Sequence, residues 1–329
     1  MSNLRLSVLD QSPVPAGGSP AEALRSSLRL ATILDNRGFV RYWFAEHHHS
    51  ASFAGTTPEV LIAAALERTT QLRIGSGGVL LPRYNPVKVA EVFGVLSALH
   101  GHRLDLGLGR SGDNGDFPRQ LIELHHHIDA QVEQGGLRPM IWLLGTGTGS
   151  STLASRFGTG FAYGHFLNPS NPANARQALL HYQSQFQPSP QQPRPTTIIT
   201  VRAVVAESES RAAELANSFV LWRTRRDLGM DVPFPTPEQA RQHSWTLAEN
   251  RTREGHAQAL ISGSAEQVRA ELLALIDGLG VEEIMVNTPL ADVEDRVESH
   301  LALADAFGLG QSAGSTPDLR ASAVEPQLS

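Results

Sequence analysis

The chain has 329 residues, 41% of them hydrophobic and 18% charged, which is ample for a sizeable core and far from a disordered composition. Its net charge of -6 gives no support to a nucleic-acid or anionic-membrane surface. With no cysteine, disulfides, thiolate metal sites and a cysteine nucleophile are excluded.

Strand-like runs then alternate with helical patterns. Leu4–Leu9 is the first predicted strand, ending at Asp10-Gln-Ser-Pro13. In residues 21–38, Leu24, Leu28, Ala31 and Leu34 keep helical spacing and Gly38 ends the run. Val40–Ala45 is the second strand, and Thr57-Pro58 opens a helix through Leu66 with proline at its first position. Leu72–Leu81 and Arg103–Gly109 are the third and fourth strands, followed by helices over Val87–Leu99 and Pro118–Ile128. Pro139–Leu144 and Gly160–Phe166 are the fifth and sixth strands, with helices over Ser151–Phe157 and Asn174–Phe186.

Pro188–Pro195 is a short connector to Thr196–Val205, the seventh strand, and Glu282–Val286 makes the eighth. Eight strand–helix alternations predict an α/β fold, a TIM (β/α)8 barrel, rather than an open doubly wound sheet. The long separation of strands 7 and 8 predicts an insertion at the barrel mouth, over about residues 222–261, with Pro233, Pro235 and Pro237. One domain is expected over residues 1–310 and a frayed tail over 311–329. The amino terminus lacks a basic-then-apolar signal pattern, and no uncharged run reaches bilayer length. A cytoplasmic protein without membrane or nucleic-acid contact is therefore expected.

In such a barrel the chemistry sits at the carboxyl ends of the strands. Strand 2 ends in Glu46-His-His-His49. Alternation puts Glu46 and His48 on one face and His47 on the other, so these neighbours cannot easily converge on a metal ion. A packed histidine run is the bland reading, and a catalytic or cofactor-facing imidazole the leading one. A second run, His125–His127, lies in a helix pattern and reads as a partly exposed face. Ser76-Gly77-Gly78 interrupts strand 3; glycines there make a bulge, admit a flat ring against the backbone, or are structurally neutral.

Arg110, ending strand 4, suits a phosphate or bridges neighbouring loops. Gly145-Thr146-Gly147-Thr-Gly-Ser150-Ser151 combines amides, hydroxyls and a helix amino terminus into an anion site. A dinucleotide fold would want an acidic residue ending the next strand, and Gly160–Phe166 has none. Metal ligation is not expected.

Taken together, Leu9-Asp-Gln-Ser-Pro13, Tyr42-Trp-Phe-Ala-Glu-His-His48, Ile74-Gly-Ser-Gly-Gly-Val-Leu-Leu-Pro82, Pro86-Val-Lys-Val-Ala-Glu91 and Arg103-Leu-Asp-Leu-Gly-Leu-Gly-Arg110 resemble the bacterial luciferase-like monooxygenases. The likeness is greatest to the single-chain subgroup of biosynthetic tailoring enzymes. Trp142–Gly145, Gly263–Val268 and Glu282–Val286 extend it over residues 4–308. It implies a barrel with an insertion before strand 8, a homodimer, and reduced FMN or the deazaflavin F420 as cofactor. By position, His47 matches the imidazole beside the flavin that assists the chemistry with oxygen. Ser76, Gly77 and Gly78 match the strand-3 bulge, commonly a non-proline cis peptide, that backs the ring. Arg110, with Gly145, Thr146, Gly147 and Ser150, matches the phosphate grip. Gly109 stands where luciferases proper carry a reactive cysteine, and the loop Ser111–Asp116 is shorter than in the subgroup.

The expected function is a two-component flavin-dependent monooxygenase. An NAD(P)H:flavin reductase supplies reduced FMN, and O2 is used on a small hydrophobic organic substrate, a natural-product intermediate. Trp43, Phe44, Phe53, Trp222 and Trp245 are candidate pocket walls. The alternatives are an F420-dependent hydride-transfer enzyme and a non-catalytic flavin-binding homologue.

Overall fold

The computed structural model describes residues 4–110, 115–256 and 259–310. Most of the loop 111–116 and the whole expected tail therefore lie outside the described residues. The chain alternates β1 (Arg5–Asp10), α1 (Pro20–Leu34), β2 (Arg41–Phe44), α2 (Pro58–Leu66), β3 (Arg73–Ser76), β4 (Val79–Leu80), α3 (Pro86–His100), β5 (Leu104–Gly109) and α4 (Phe117–Glu133). It continues with β6 (Met140–Gly145), α5 (Thr148–Phe157), β7 (Gly160–Tyr163), α6 (Pro172–Gln185), β8 (Thr197–Val205) and α7 (Glu209–Asp227). The last part comprises α8 (Pro237–Gln242), α9 (Leu247–Arg253), β9 (Ile261–Gly263), α10 (Ala265–Ile276), β10 (Glu283–Asn287) and α11 (Val293–Ala306).

Parallel pairing runs β10-β1-β2-β3-β5-β6-β7-β8, and β10 pairs back onto β8 to close the cylinder. The expected eight-stranded TIM barrel is formed, with α7, α8, α9, β9 and α10 between strands 7 and 8. Strand 3 is split by a cis peptide between Gly77 and Gly78, at the expected glycine break. Two local features differ from the sequence pattern. The sixth strand stops at Tyr163: after a last ladder bond from the Gly164 N–H to the Gly145 carbonyl, the chain turns into a 3-10 segment over His165–Leu167. Helix α7 runs through Trp222, which is buried in it. No helix among the described residues is long and apolar enough to cross a membrane.

Strand alternation sorts the residues. Outward side chains such as Leu6, Val8, Tyr42, Phe44, Ile74, Leu106, Leu143, Ile199 and Ile284 form the large core between barrel and helices. Inward side chains stack in layers. The lowest is ionic: Arg41 donates from Nε to Glu283 Oε1 at 2.5 Å and from Nη1 to Asp105 Oδ2 at 2.8 Å. Ser7 donates to Glu283 at 2.5 Å, and Arg73 donates to Asp105 at 2.6 and 2.9 Å. Burial alone would raise the Asp105 carboxyl, but Arg41 and Arg73 hold it below its ordinary range.

The next layer is apolar, with Leu9, Trp43, Trp142, Ala162, Ile198 and Met285. The indoles meet edge-on at 5.6 Å, and Trp43 Nε1 donates down to Asp105 at 3.0 Å. Glycine makes room for Trp142: a Cβ on Gly160 would lie 2.3 Å from that indole.

Breaking a buried charge network from one side leaves uncompensated carboxylates. Arg41→Met leaves buried Glu283 with Ser7 and the more distant Arg5, and takes from Asp105 one of its two cations. We expect a loss of about 3–5 kcal/mol in unfolding free energy, measured by urea titration. A loss below about 1 kcal/mol would show the network to be energetically idle.

Candidate active site

Above the two tryptophans the barrel opens into a cavity of about 470 Å³. Its floor is the third inward layer, including Ala45, Gly77, Gly109, Leu144, Gly164 and Thr200. Three groups of residues meet around it.

The first group surrounds His47, placed inward by the same alternation that points Trp43 and Ala45 inward. Its backbone N–H donates to the Gly55 carbonyl at 2.8 Å. Its ring packs on Phe53 with centroids 4.3 Å apart. Phe53 in turn meets Trp222 at 5.5 Å and Phe234 at 5.6 Å, so α7 and the segment after it buttress the imidazole. Gln11 Nε2 lies 3.3 Å from His47 Nε2. With the amide donating, the ring proton rests on Nδ1, which is buried and has no partner among the described residues. Burial first, then the positive charge of Arg226 and the neighbouring His48, lowers the His47 pKa to about 4. The imidazole is neutral at pH 7.

Gln11 owes its position to a buried knot beneath it. The Asp10 carboxylate receives Ser12 N–H at 2.7 Å, Arg296 Nη1 at 3.0 and 3.1 Å, and the Tyr42 hydroxyl. Ser12 takes a left-handed conformation, φ 51°, which turns the chain sharply there.

Glu46 also lines the cavity, and its carboxylate is engaged by neighbouring groups. It accepts from Leu80 N–H at 2.9 Å, from the Tyr84 hydroxyl at 2.8 Å and lies 2.5 Å from His48 Nε2. These contacts tie the end of strand 2 to β4 across the glycine break. His49 is exposed, with φ 50°.

The second group is the break itself. Gly77 and Gly78 both line the cavity. A Cβ on Gly78 would sit 2.7 Å from the Gly107 carbonyl oxygen, a backbone atom that cannot step aside. Ser76 is not part of the wall. It is fully buried, its hydroxyl donating to the Gly107 carbonyl at 2.8 Å and accepting Gly107 N–H at 3.0 Å. The expected cofactor contact is thus a clamp between β3 and β5.

The third group is Arg110 with the β6–α5 turn. Gly145, Thr146, Gly147, Gly149 and Ser150 line the cavity with Arg110. Helix α5 begins at Thr148, earlier than its pattern suggests, and no side chain caps its amino terminus. Arg110 Nη2 would be 4.0 Å from a Cβ on Gly149. A guanidinium and a helix amino terminus repel each other, and an anion between them satisfies both. Asn174 secures the turn, donating to the Thr146 carbonyl and to the Tyr163 hydroxyl at 3.1 Å.

The aromatic walls differ from expectation. Of the five candidates only Trp43 lines the cavity. Phe44 belongs to the outer core, and Phe53, Trp222 and Trp245 belong to the cluster behind His47. The apolar walls are instead Leu9, Leu80, Leu144, Phe166, Leu167 and Met285. Phe166 and Leu167 enter because the strand ends at Tyr163, a turn that Gly164 alone could have signalled. Among the described residues no three His, Asp or Glu side chains gather as a metal site.

The luciferase-like monooxygenase family model matches residues 4–120 and 114–283. The chain belongs to that family. A luciferase-like monooxygenase of Escherichia coli K12 is 33% identical over 321 residues, covering 90% of this chain and 95% of that protein. YceB of Bacillus subtilis 168, uncharacterized, is 36% identical over 332 residues, covering 92% and 99%. The crystal structure of apo-MsnO8 superposes with a TM-score of 0.83 at 33% identity, covering 94% of this chain and 98% of that one. As a luciferase-like monooxygenase, the protein is an oxidoreductase.

Gln11 donating to His47 favours the neutral ring, so its removal raises the His47 pKa. By proton NMR, His47 is expected to titrate near pH 4 in the wild type. Gln11→Leu, which removes a donor to the neutral ring, should raise that titration, while burial and Arg226 keep it below the ordinary value of 6.5. Stability follows the same sign: the unfolded chain takes up this proton below about pH 6.5, while the folded one refuses it down to about pH 4. His47 therefore contributes a loss of stability across that window as pH falls. An unchanged titration in Gln11→Leu would remove Gln11 from the site.

Proposed function

We propose that the protein is a flavin-dependent monooxygenase that takes reduced FMN from a separate NAD(P)H:flavin reductase and uses O2 on a small hydrophobic organic molecule. One observation carries the reading. A single cavity joins a neutral imidazole, a glycine surface that tolerates close approach, and an arginine facing an uncapped helix amino terminus.

The residues present fit FMN. Gly77 and Gly78 present bare backbone to a flat ring, and the phosphate reaches Arg110 and the first-turn amides of α5. Among the described residues, a Cβ on Gly147 would meet no heavy atom within 4 Å, so its backbone is open to approach. When bound and reduced, the flavin supplies the electrons that activate oxygen. The chain supplies placement and a water-poor surround. His47 offers an N–H and a ring lone pair at the cavity rim without adding charge, holding or passing a proton beside the reacting face. Leu9, Leu80, Leu144, Phe166 and Met285 favour an apolar substrate. A natural-product intermediate as substrate accords with the subgroup resemblance.

A homodimer is part of the same reading. Val60 of α2 and Val95 and Leu99 of α3 are 63, 59 and 71% exposed. Val60 and Val95 line a mostly apolar groove of about 950 Å³ that reaches the end of α4, a surface suited to a second copy. Sedimentation should give a dimer, with Val95→Asp shifting it to monomer. An unshifted Val95→Asp dimer would place the contact elsewhere.

The cofactor is tested by titration with FMN, riboflavin and F420, and the reaction by mass spectrometry of products formed with FMN, reductase and oxygen. Arg110→Ala should weaken FMN at least tenfold, on the order of 1.4 kcal/mol, while barely affecting phosphate-free riboflavin. Equal losses would refute the phosphate role. Tight F420 binding without FMN binding would replace oxygenation by hydride transfer.

A further inference from the structure

Beside the main cavity lies a smaller one of about 280 Å³, walled by Val201 and Arg202 of β8, His165 and Pro169, Ile261 of β9 and Leu275 of α10. Glu271 stands at its exposed rim. Arg202 is only 6% exposed. Its Nη1 donates to the Phe166 carbonyl at 2.8 Å, and its Nε is buried with no partner among the described residues. The guanidinium lies against the rings of Phe166 and Phe219, 4.9 and 5.1 Å from their centroids.

The charges around Arg202 do not balance it. Arg223 and Arg226 on α7 oppose its charge, and Asp227 favours it. Asp227 is already committed, accepting from Arg223 Nε at 3.2 Å and lying 3.2 Å from His256 Nε2. Burial first, then Arg223, pushes the Arg202 pKa down to about 9, which leaves it charged at neutral pH. A buried cation without an anion is unfavourable, and contacts with aromatic faces offset only part of the cost. The remaining walls include His165, whose pKa burial lowers, and the apolar Pro169, Val201, Ile261 and Leu275. An inorganic anion would satisfy Arg202 and leave these walls unused, whereas the Glu271 rim disfavours a second negative charge.

We propose that this cavity is a carboxylate subsite, in which Arg202 receives the carboxylate of a small organic monoacid whose hydrocarbon body packs on Pro169, Ile261 and Leu275. Phe166 links it to the main site, since its ring lines the main cavity while its face and carbonyl hold Arg202. The acid is either the anionic end of the molecule oxidised next door or a separate ligand acting through Phe166.

The test is calorimetric titration of the full chain with hexanoate and, as its uncharged counterpart, 1-hexanol. The wild type should bind hexanoate at least tenfold more tightly than hexanol. Arg202→Gln should abolish that preference, and Arg202→Lys should keep part of it. Equal affinity of the wild type for both probes, or an undiminished preference in Arg202→Gln, overturns the proposal. Circular dichroism checks folding; if Arg202→Gln does not fold, the wild-type contrast and Arg202→Lys decide. The readout needs no flavin, so its failure is distinct from failure of the monooxygenase reading. In turnover, competition by hexanoate marks the acid as the substrate's own end, and a non-competitive effect marks a second ligand.

Discussion

Arg41 reaches across the bottom of the barrel to Glu283 on one side and Asp105 on the other, and Arg73, Ser7 and Trp43 complete the set. These side chains belong to β1, β2, β3, β5 and β10. A strand slipped by one residue would swing its charged member out among the apolar helices, so the cluster permits only one register. Every residue higher on the same strands inherits its direction from that register. Trp43 above Arg41, then Ala45, then His47 face the axis because Arg41 does. Gly107 and Gly109 follow Asp105 in the same way, and Met285 follows Glu283.

The site at the other end is assembled from pieces that share no element. His47 ends strand 2, the glycine break interrupts strand 3, Arg110 follows strand 4, and the Gly145–Ser150 turn follows strand 5. What holds them in mutual position is a second set of polar clamps. Asp10 with Arg296 and Tyr42 holds the Gln11 segment, Glu46 with Leu80 and Tyr84 holds the break, and Ser76 with Gly107 ties the break to the next strand. Of these clamping groups only Glu46 and Leu80 line the cavity, yet each clamp fixes backbone beside it. The neutral imidazole, the bare glycine face and the cation thus stand on rigid supports, which is what oxygen chemistry in a protected pocket requires.

Much of this was legible along the chain, for a stated reason. Barrel strands and their helices are local periodic patterns, and polar or glycine-rich residues at strand ends mark the mouth. His47 could be separated from Glu46 and His48 by alternation alone, and Gly77-Gly78, Arg110 and Gly145–Ser150 stood out as residue types ill suited to plain strand or core. Ser76 was misplaced because its neighbours' role was extended to it; a small hydroxyl beside a glycine break serves equally well as an inter-strand clamp. The aromatic residues misled more, since bulk and apolarity do not say which cavity or core a ring fills.

The sequence by itself determined the fold class, the order of elements and the strand ends that carry chemistry, because these depend on short-range periodicity and residue type. Only the tertiary structure decided which distant groups meet: Gln11 with His47, Phe53 with Trp222 and Phe234, Arg202 with Phe166. Those contacts join residues far apart in the chain, and their energies depend on distance, burial and charge balance. None of these is encoded in local spacing. The same holds for the protonation state of His47, which follows from what buries it rather than from its being a histidine.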